Sequence, residues 1–212
     1  HEDARLIGQT SFIYEAGSAF SMDRETTLMT GDFEHHPDKN VVEQMSERGV
    51  PELLFEKYDG TLEFHEPWHE GREMSHLFRG KVDVEEVNVM LSEEGHGDLR
   101  LLDNGAIGRP MPGIEITHCY HLVPKGVSKS RAVAAHAAAR GYAKEETIAV
   151  GDSAEDLEVA RSVGTFYVVA NGPERDAGLK ATLSQHANAV VTEGRAGDGF
   201  YEAIVTSLVS GQ

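Results

Sequence analysis

Residues 123–173 decide the fold: VPKGVSKSRAVAAHAAARGYAKEETIAVGDSAEDLEVARSVGTFYVVANGP. Within this stretch Ser128 to Arg140 is alanine-rich, opens on a serine able to cap a first helical turn, and stops at Gly141. That combination predicts a helix. Thr147 to Val150 reads as a short apolar strand ending at Gly151-Asp152. Ser153 to Val163 reads as a second helix, capped by Ser153 and stopped by Gly164, and Phe166 to Ala170 as the next strand. Strand and helix alternate, which implies parallel strands joined by right-handed crossovers, with ligands expected in the crevice at the carboxyl ends of the strands.

Upstream the pattern is different. Ser11 to Phe20 (SFIYEAGSAF) reads as a short buried strand followed by a small-residue turn at Gly17-Ser18. Val41 to Arg48 fits a helix closed by Gly49 and Pro51. Leu53 to Tyr58 and Thr61 to Glu66 flank Asp59-Gly60, a strong hairpin signal, so two paired strands are expected there. Val84, Val87, Asn88 and Leu91 share a helical face between Asp83 as N-cap and Gly95 as stop. Leu99 to Leu102 and Ile114 to Val123 look like strands. The region 22–118 therefore reads as a small α+β module.

The 212 residues suffice for one large domain or two small ones. No apolar stretch reaches the roughly 20 residues of a membrane span. A net charge of -17 argues against a nucleic-acid surface, which needs clustered Lys and Arg. It also means that a phosphate site must be made positive locally. A single cysteine, Cys119, excludes an internal disulfide framework and suits a reducing cytoplasm, and no signal peptide is evident.

Asp152 carries the most information, since it stands where a buried strand opens into a loop and a helix N-terminus. With Glu155 and Asp156, the hexapeptide GDSAED can offer several oxygens to a hard cation such as magnesium. Ser153-x-x-Asp156 also reads as a capping box, with Asp156 serving the helix end. Lys129 lies in the first turn of its helix, where the helix dipole disfavours a cation, so it reads either as a phosphoryl-neutralising group or as a solvated lysine. His65, His69 and His76 gather around EFHEPWHEGREMSH, but their spacing matches no tight zinc pattern. His69 and Arg72, beside Trp68, are candidates for a substrate-facing surface on which Arg72 clamps an anion; packing of Trp68 in a core is the competing reading. Arg100 and Asn104 are weaker candidates of the same kind.

Taken together, the order and spacing of these residues are similar to the third and fourth motifs of haloacid dehalogenase (HAD) superfamily hydrolases of the Cof and sugar-phosphate phosphatase type. Gly126, Ser128 and Lys129 match the element that opens a helix, and Gly151, Asp152 and Asp156 match the Gly-Asp loop. Asn171 matches the asparagine after the next strand, with Gly172 in place of the usual alanine. HANAVVTEGRAGDGFYEAI resembles the closing strand, turn and helix, so the resemblance runs from about Leu122 to Leu208. It implies an α/β fold: a Rossmannoid parallel-sheet core made of 1–21 and 119–212, with 22–118 inserted as an α+β cap. It further implies magnesium (Mg2+) bound by Asp152 with Asp156 in support and a phosphoryl group held by Lys129, with Ser128 and Asn171 as candidate substrate contacts; His69 and Arg72 stay candidates on the residue reading alone. Glu155 replaces a usual asparagine.

The family's nucleophile lies in an N-terminal strand ending in Asp-x-Asp-Gly-Thr, and no such element is found. Lys57-Tyr58-Asp59-Gly60-Thr61-Leu62 imitates it, but places a lysine where the nucleophile belongs. The first residue is His1, not methionine, so the nucleophile is expected upstream of this chain. The reaction implied is hydrolysis of a small phosphorylated metabolite, such as a sugar phosphate or phosphoglycerate, through an aspartyl phosphate. The alternative is a catalytically inactive phosphate- or metal-binding module. Oligomeric state is not legible.

Overall fold

The computed structural model describes residue 6 and residues 8–211, so His1 and the reading of the chain's start lie outside the described residues. Two compact units divide at Val127/Ser128.

In the first unit, β1 (Ser11–Tyr14), β2 (Ala19–Met22) and β3 (Glu25–Leu28) form an antiparallel sheet in that order. A 3-10 turn at Glu15–Gly17 joins β1 to β2, with Glu15 and Ala16 at positive φ. Next come α1 (Val41–Glu47) and α2 (Val50–Lys57), then β4 (Leu62–Phe64), β5 (His76–Gly80), α3 (Val84–Glu93), β6 (Leu99–Ala106) and β7 (His118–Pro124). The four strands form an antiparallel sheet ordered β4-β5-β7-β6. One sheet face carries Leu62, Phe78, Leu99, Leu101, Tyr120 and Leu122. It packs with Val41, Met45, Val50, Leu54, Val87 and Leu91 from the three helices into one buried cluster. Cys119, pointing to the other face by strand alternation, is buried, and burial pushes its thiol up to about 11.

The hairpin expected around Asp59-Gly60 is not formed. Residues 50–57 are helical, because Val50 and Leu54 recur at helical spacing and both are fully buried, while Pro51 occupies the first turn, where its missing N–H costs nothing. Asp59-Gly60 instead makes the turn that leads from α2 into β4, with Gly60 at φ +70°. The helix expected from Asp83 to Gly95 is present, and Asp83 accepts hydrogen bonds from the N–H groups of Glu85 and Glu86.

The second unit follows the predicted alternation. It comprises α4 (Lys129–Arg140), β8 (Ile148–Gly151), α5 (Ala154–Leu157), β9 (Thr165–Val168), α6 (Asn171–Arg175), α7 (Ala177–Thr182), β10 (Ala189–Val191) and α8 (Ala196–Ser210). The three strands are parallel, in the order β10-β9-β8. Ser128 caps α4 by accepting from the Arg131 N–H, and Gly141 closes it at φ +74°. The helix expected from Ser153 to Val163 is α-helical only as far as Leu157 and continues as a 3-10 helix over Glu158–Ser162. Its Leu157, Val159, Ala160 and Val163 bury with Phe166, Val168 and Leu179. Among the described residues no helix is long and apolar enough to cross a membrane.

Candidate active site

The loops that leave β8, β9 and β10 meet at the carboxyl ends of the parallel strands, the edge to which the alternation pointed. Gly151 ends β8 beside Asp156: a Cβ on Gly151 would come within 2.5 Å of the Asp156 Cβ. That closeness lets the carboxylate of Asp156 lie back over the loop and accept, weakly, from the Asp152 N–H at 3.5 Å. Asp156 also follows the capping reading in its backbone, since its N–H donates to Ser153 Oγ at 3.1 Å. The two readings of Ser153-x-x-Asp156 are thus compatible, because cap and carboxylate use different atoms.

Lys129 projects from the first turn of α4 to the same place. Its ammonium donates to Asp156 Oδ1 at 2.9 Å and stands 3.1 Å from Glu155 Oε2. Burial alone would lower the lysine and raise the aspartate. The mutual charges and hydrogen bonds outweigh it, so the Lys129 amine is held above its ordinary range and the Asp156 carboxyl below its own. An ammonium has three protons, and two are directed at these carboxylates; the third is available to an incoming oxygen.

Asn171 ties the site together. Its Nδ2 donates to Asp152 Oδ2 at 3.4 Å, and its Oδ1 accepts from the Ala196 N–H at 2.6 Å. The side chain thereby links the loops after all three strands while itself 4% exposed. Gly172, which stands in place of the usual alanine, has a physical reason: a Cβ there would meet the Asp152 carbonyl oxygen at 2.7 Å.

Asp152 itself is exposed, and apart from Asn171 its carboxylate has no hydrogen-bond partner among the described residues. Its oxygens are hard donors at an open crevice, and they fit a magnesium ion, which takes one or two carboxylates and fills the remaining positions with water and phosphate oxygens. Asp156 is committed to Lys129 and so stands behind the Asp152 position. No group of three or more His, Cys, Asp or Glu side chains converges as a cage among the described residues. The structure therefore brings together Asp152, Glu155, Asp156, Lys129 and Asn171. Ser128 lies next to them in sequence, with its hydroxyl engaged as the α4 cap.

His69 and Arg72 belong to the first unit. The ring of His69 stacks on Phe64 at 3.9 Å and on His76 at 5.3 Å, and its Nδ1 accepts from the Leu77 N–H. Burial lowers its pKa and keeps it neutral. His76 Nε2 meets Ser46 Oγ at 3.2 Å. These rings are packed against one another and against phenylalanines. The guanidinium of Arg72 donates to Ser75 and approaches Glu15 Oε2 at 3.7 Å. Glu15 in turn accepts from the N–H groups of Met74 and Ser75. Sequence reasoning missed Glu15, whose only signal was a charged residue inside an apolar strand-turn segment. Arg100 donates to the Val127 carbonyl. Lys57, the lysine of the imitation motif, sits at the end of α2, exposed, 3.8 Å from Glu86.

Comparison with known proteins places part of the chain among hydrolase-like sequences. Residues 115–204 match the family model described as haloacid dehalogenase-like hydrolase. The chain is similar to a phosphoglycolate phosphatase of Halobacterium salinarum, 29% identical over 157 residues that cover 63% of this chain and 66% of the relative. It is also similar to one of Methanoculleus marisnigri, 34% identical over 127 residues covering 60% and 45%. The chain thus spans just under two thirds of the first relative's length and less than half of the second's. In fold it resembles the sucrose-phosphatase of Synechocystis solved with sucrose and phosphate, with a TM-score of 0.62 at 15% identity over 97% of this chain and 78% of that one. Motif spacing, a parallel sheet with its carboxylates at the strand ends, and these matches all liken residues 115–204 to the haloacid dehalogenase-like hydrolases.

Proposed function

We propose that this chain forms the metal-binding and phosphoryl-holding part of a phosphatase that hydrolyses a small phosphate ester. The observation that carries the proposal is the Lys129 ammonium, fixed by Asp156 and Glu155 at 2.9 and 3.1 Å beside the exposed carboxylate of Asp152. Lys129 offers its remaining proton to a phosphoryl oxygen. Asp156 and Glu155 keep the amine charged and fixed in place, so little reorganisation is needed as negative charge develops. Asn171 orients Asp152. When bound, magnesium supplies charge neutralisation at the phosphoryl group. The phosphatase relatives support a phosphorylated metabolite as substrate, with phosphoglycolate the first to try.

The nucleophile in this reading is an aspartate on a strand upstream of this segment, forming an aspartyl phosphate that water then hydrolyses. β8 supports it: among the described residues it pairs with β9 alone, and its Ile148, Ala149 and Val150 are half-buried on an open edge. Such an edge is ordinarily covered or paired. Residues 22–118 serve as the inserted cap, and the cytoplasm, with its free magnesium and reducing conditions, is the setting.

The test is magnesium-dependent phosphatase activity of the complete protein on phosphoglycolate. Asp152→Asn and Lys129→Ala should each reduce kcat by at least about 100-fold, the scale of losing one transition-state charge partner. Unchanged activity in either variant overturns the assignment. Binding of phosphate and magnesium without turnover would favour the inactive module.

A further inference from the structure

Asn-Gly occurs twice in this chain, at Asn104-Gly105 and at Asn171-Gly172. The pair matters chemically because the backbone nitrogen that follows an asparagine can attack the side-chain amide, and a glycine, having no Cβ, hinders that approach least. The fold treats the two pairs in opposite ways. Asn171 is 4% exposed, both ends of its amide are hydrogen-bonded, to Asp152 and to Ala196, and the Gly172 N–H donates to the Val169 carbonyl at 2.9 Å. Closing a ring between Asn171 and Gly172 would break all of these bonds inside a crowded loop.

Asn104, a candidate in the sequence for a substrate-facing surface, stands near the end of β6. The ladder pairs Asp103 with Tyr120 and resumes with Ala106 opposite His118, so Asn104 and Gly105 bulge out between them without strand partners. Asn104 is exposed, and its side-chain amide makes no hydrogen bond among the described residues. Gly105 is at φ +92°, with open space where a Cβ would stand. Its N–H donates to Asp103 Oδ1 at 2.7 Å, and the other oxygen of that carboxylate is held by His118 Nδ1 at 2.7 Å. A fixed carboxylate therefore sits on the proton that an attacking Gly105 nitrogen must lose.

We propose that Asn104 is a site of self-modification, at which the Gly105 nitrogen bonds to Asn104 Cγ, Asp103 takes the nitrogen's proton, and a cyclic succinimide forms. The bond from Cγ to the side-chain nitrogen breaks, and that nitrogen receives the proton and leaves as ammonia. Water then opens the ring, at Cγ to give aspartate or at the backbone carbonyl of residue 104 to give isoaspartate. Asparagine and water thus become a carboxylate and ammonia, with no oxidant, reductant or second protein. Either product sets a new negative charge beside Asp103. Isoaspartate also lengthens the backbone, which a bulge outside the ladder accepts without breaking strand pairs.

The full chain is incubated at neutral pH, native and in guanidinium chloride, and peptide mapping by mass spectrometry follows both asparagines, scoring aspartate and isoaspartate. In the native chain Asn104 is expected to convert about ten-fold or more faster than Asn171, because conversion at Asn171 waits on local opening. In guanidinium chloride the two rates are expected to converge, since the dipeptides are the same. Asp103→Ala, an exposed substitution whose fold circular dichroism checks, is expected to slow native conversion of Asn104 about ten-fold or more, as loss of a general base does. The proposal is overturned by equal native rates at the two asparagines, by an Asn104 that persists in the native chain while the denatured chain converts, or by an Asn104 rate unchanged in Asp103→Ala.

Discussion

Asn171 is held at both ends of its amide, so truncating it does more than remove one contact. Asn171→Ala leaves the Ala196 N–H unpaired and frees the Asp152 carboxylate; a stability loss of about 1–3 kcal/mol is expected in urea denaturation. His76 makes a prediction about pH. Burial, then the neighbouring His69, push its imidazole down to about 4, against an ordinary value of 6.5. The unfolded chain takes up this proton below pH 6.5, whereas the folded one refuses it until about 4. Stability is therefore full above pH 6.5 and falls as pH drops through that window, with a loss of about 3 kcal/mol once below it. Denaturation curves at pH 7 and pH 4.5 should show a shallower decline in His76→Gln than in the native chain. At this scale the sequence showed Asp152, Asp156 and Lys129, because a strand end, a cap and a first-turn cation are local features. The Glu15–Arg72 network was not visible, since it joins residues about 60 positions apart in the chain, as the Glu15 to Ser75 bonds illustrate.

In the second unit α4, β8, the helix from Ser153 and β9 were legible, because those two helices begin on serine and stop at glycine and the strands are short apolar runs, whereas α6 and α7, capped by Ala170 and Asp176, were not anticipated. The first unit was less so. An Asp-Gly pair between apolar runs is a hairpin signal only if both runs are strands, and VPELLFEK is instead a helix whose Val50 and Leu54 lie one turn apart. Burial decides the matter: Leu54 is fully enclosed by the helix-on-sheet core, so Leu54→Ala should cost about 2–5 kcal/mol by thermal or chemical denaturation. An exposed strand position would cost far less. Asn40 forms a capping box with Glu43 at the start of α1, and Asn40→Ala should cost about 1 kcal/mol in the same assay.

Across the whole chain the acidic excess is the dominant long-range term. With 36 acidic against 19 basic residues, self-repulsion acts on the folded state, and salt screens it. The midpoint of thermal unfolding should rise from low salt to about 0.5 M sodium chloride, where the screening length has fallen well below 10 Å. A midpoint that falls would mean that ion pairs such as Arg48–Asp98, at 2.7 Å, outweigh the repulsion. The change of rhythm from the α+β module to alternating strand and helix was visible in the sequence, and the architecture followed from it. Cys119 gives this molecule a clock. The only thiol of the chain is enclosed in the middle of a sheet and pushed by burial up to about 11, so alkylation of the native protein should be slow. Every labelling event then marks one opening of that sheet, and the labelling rate counts how often the first unit comes apart.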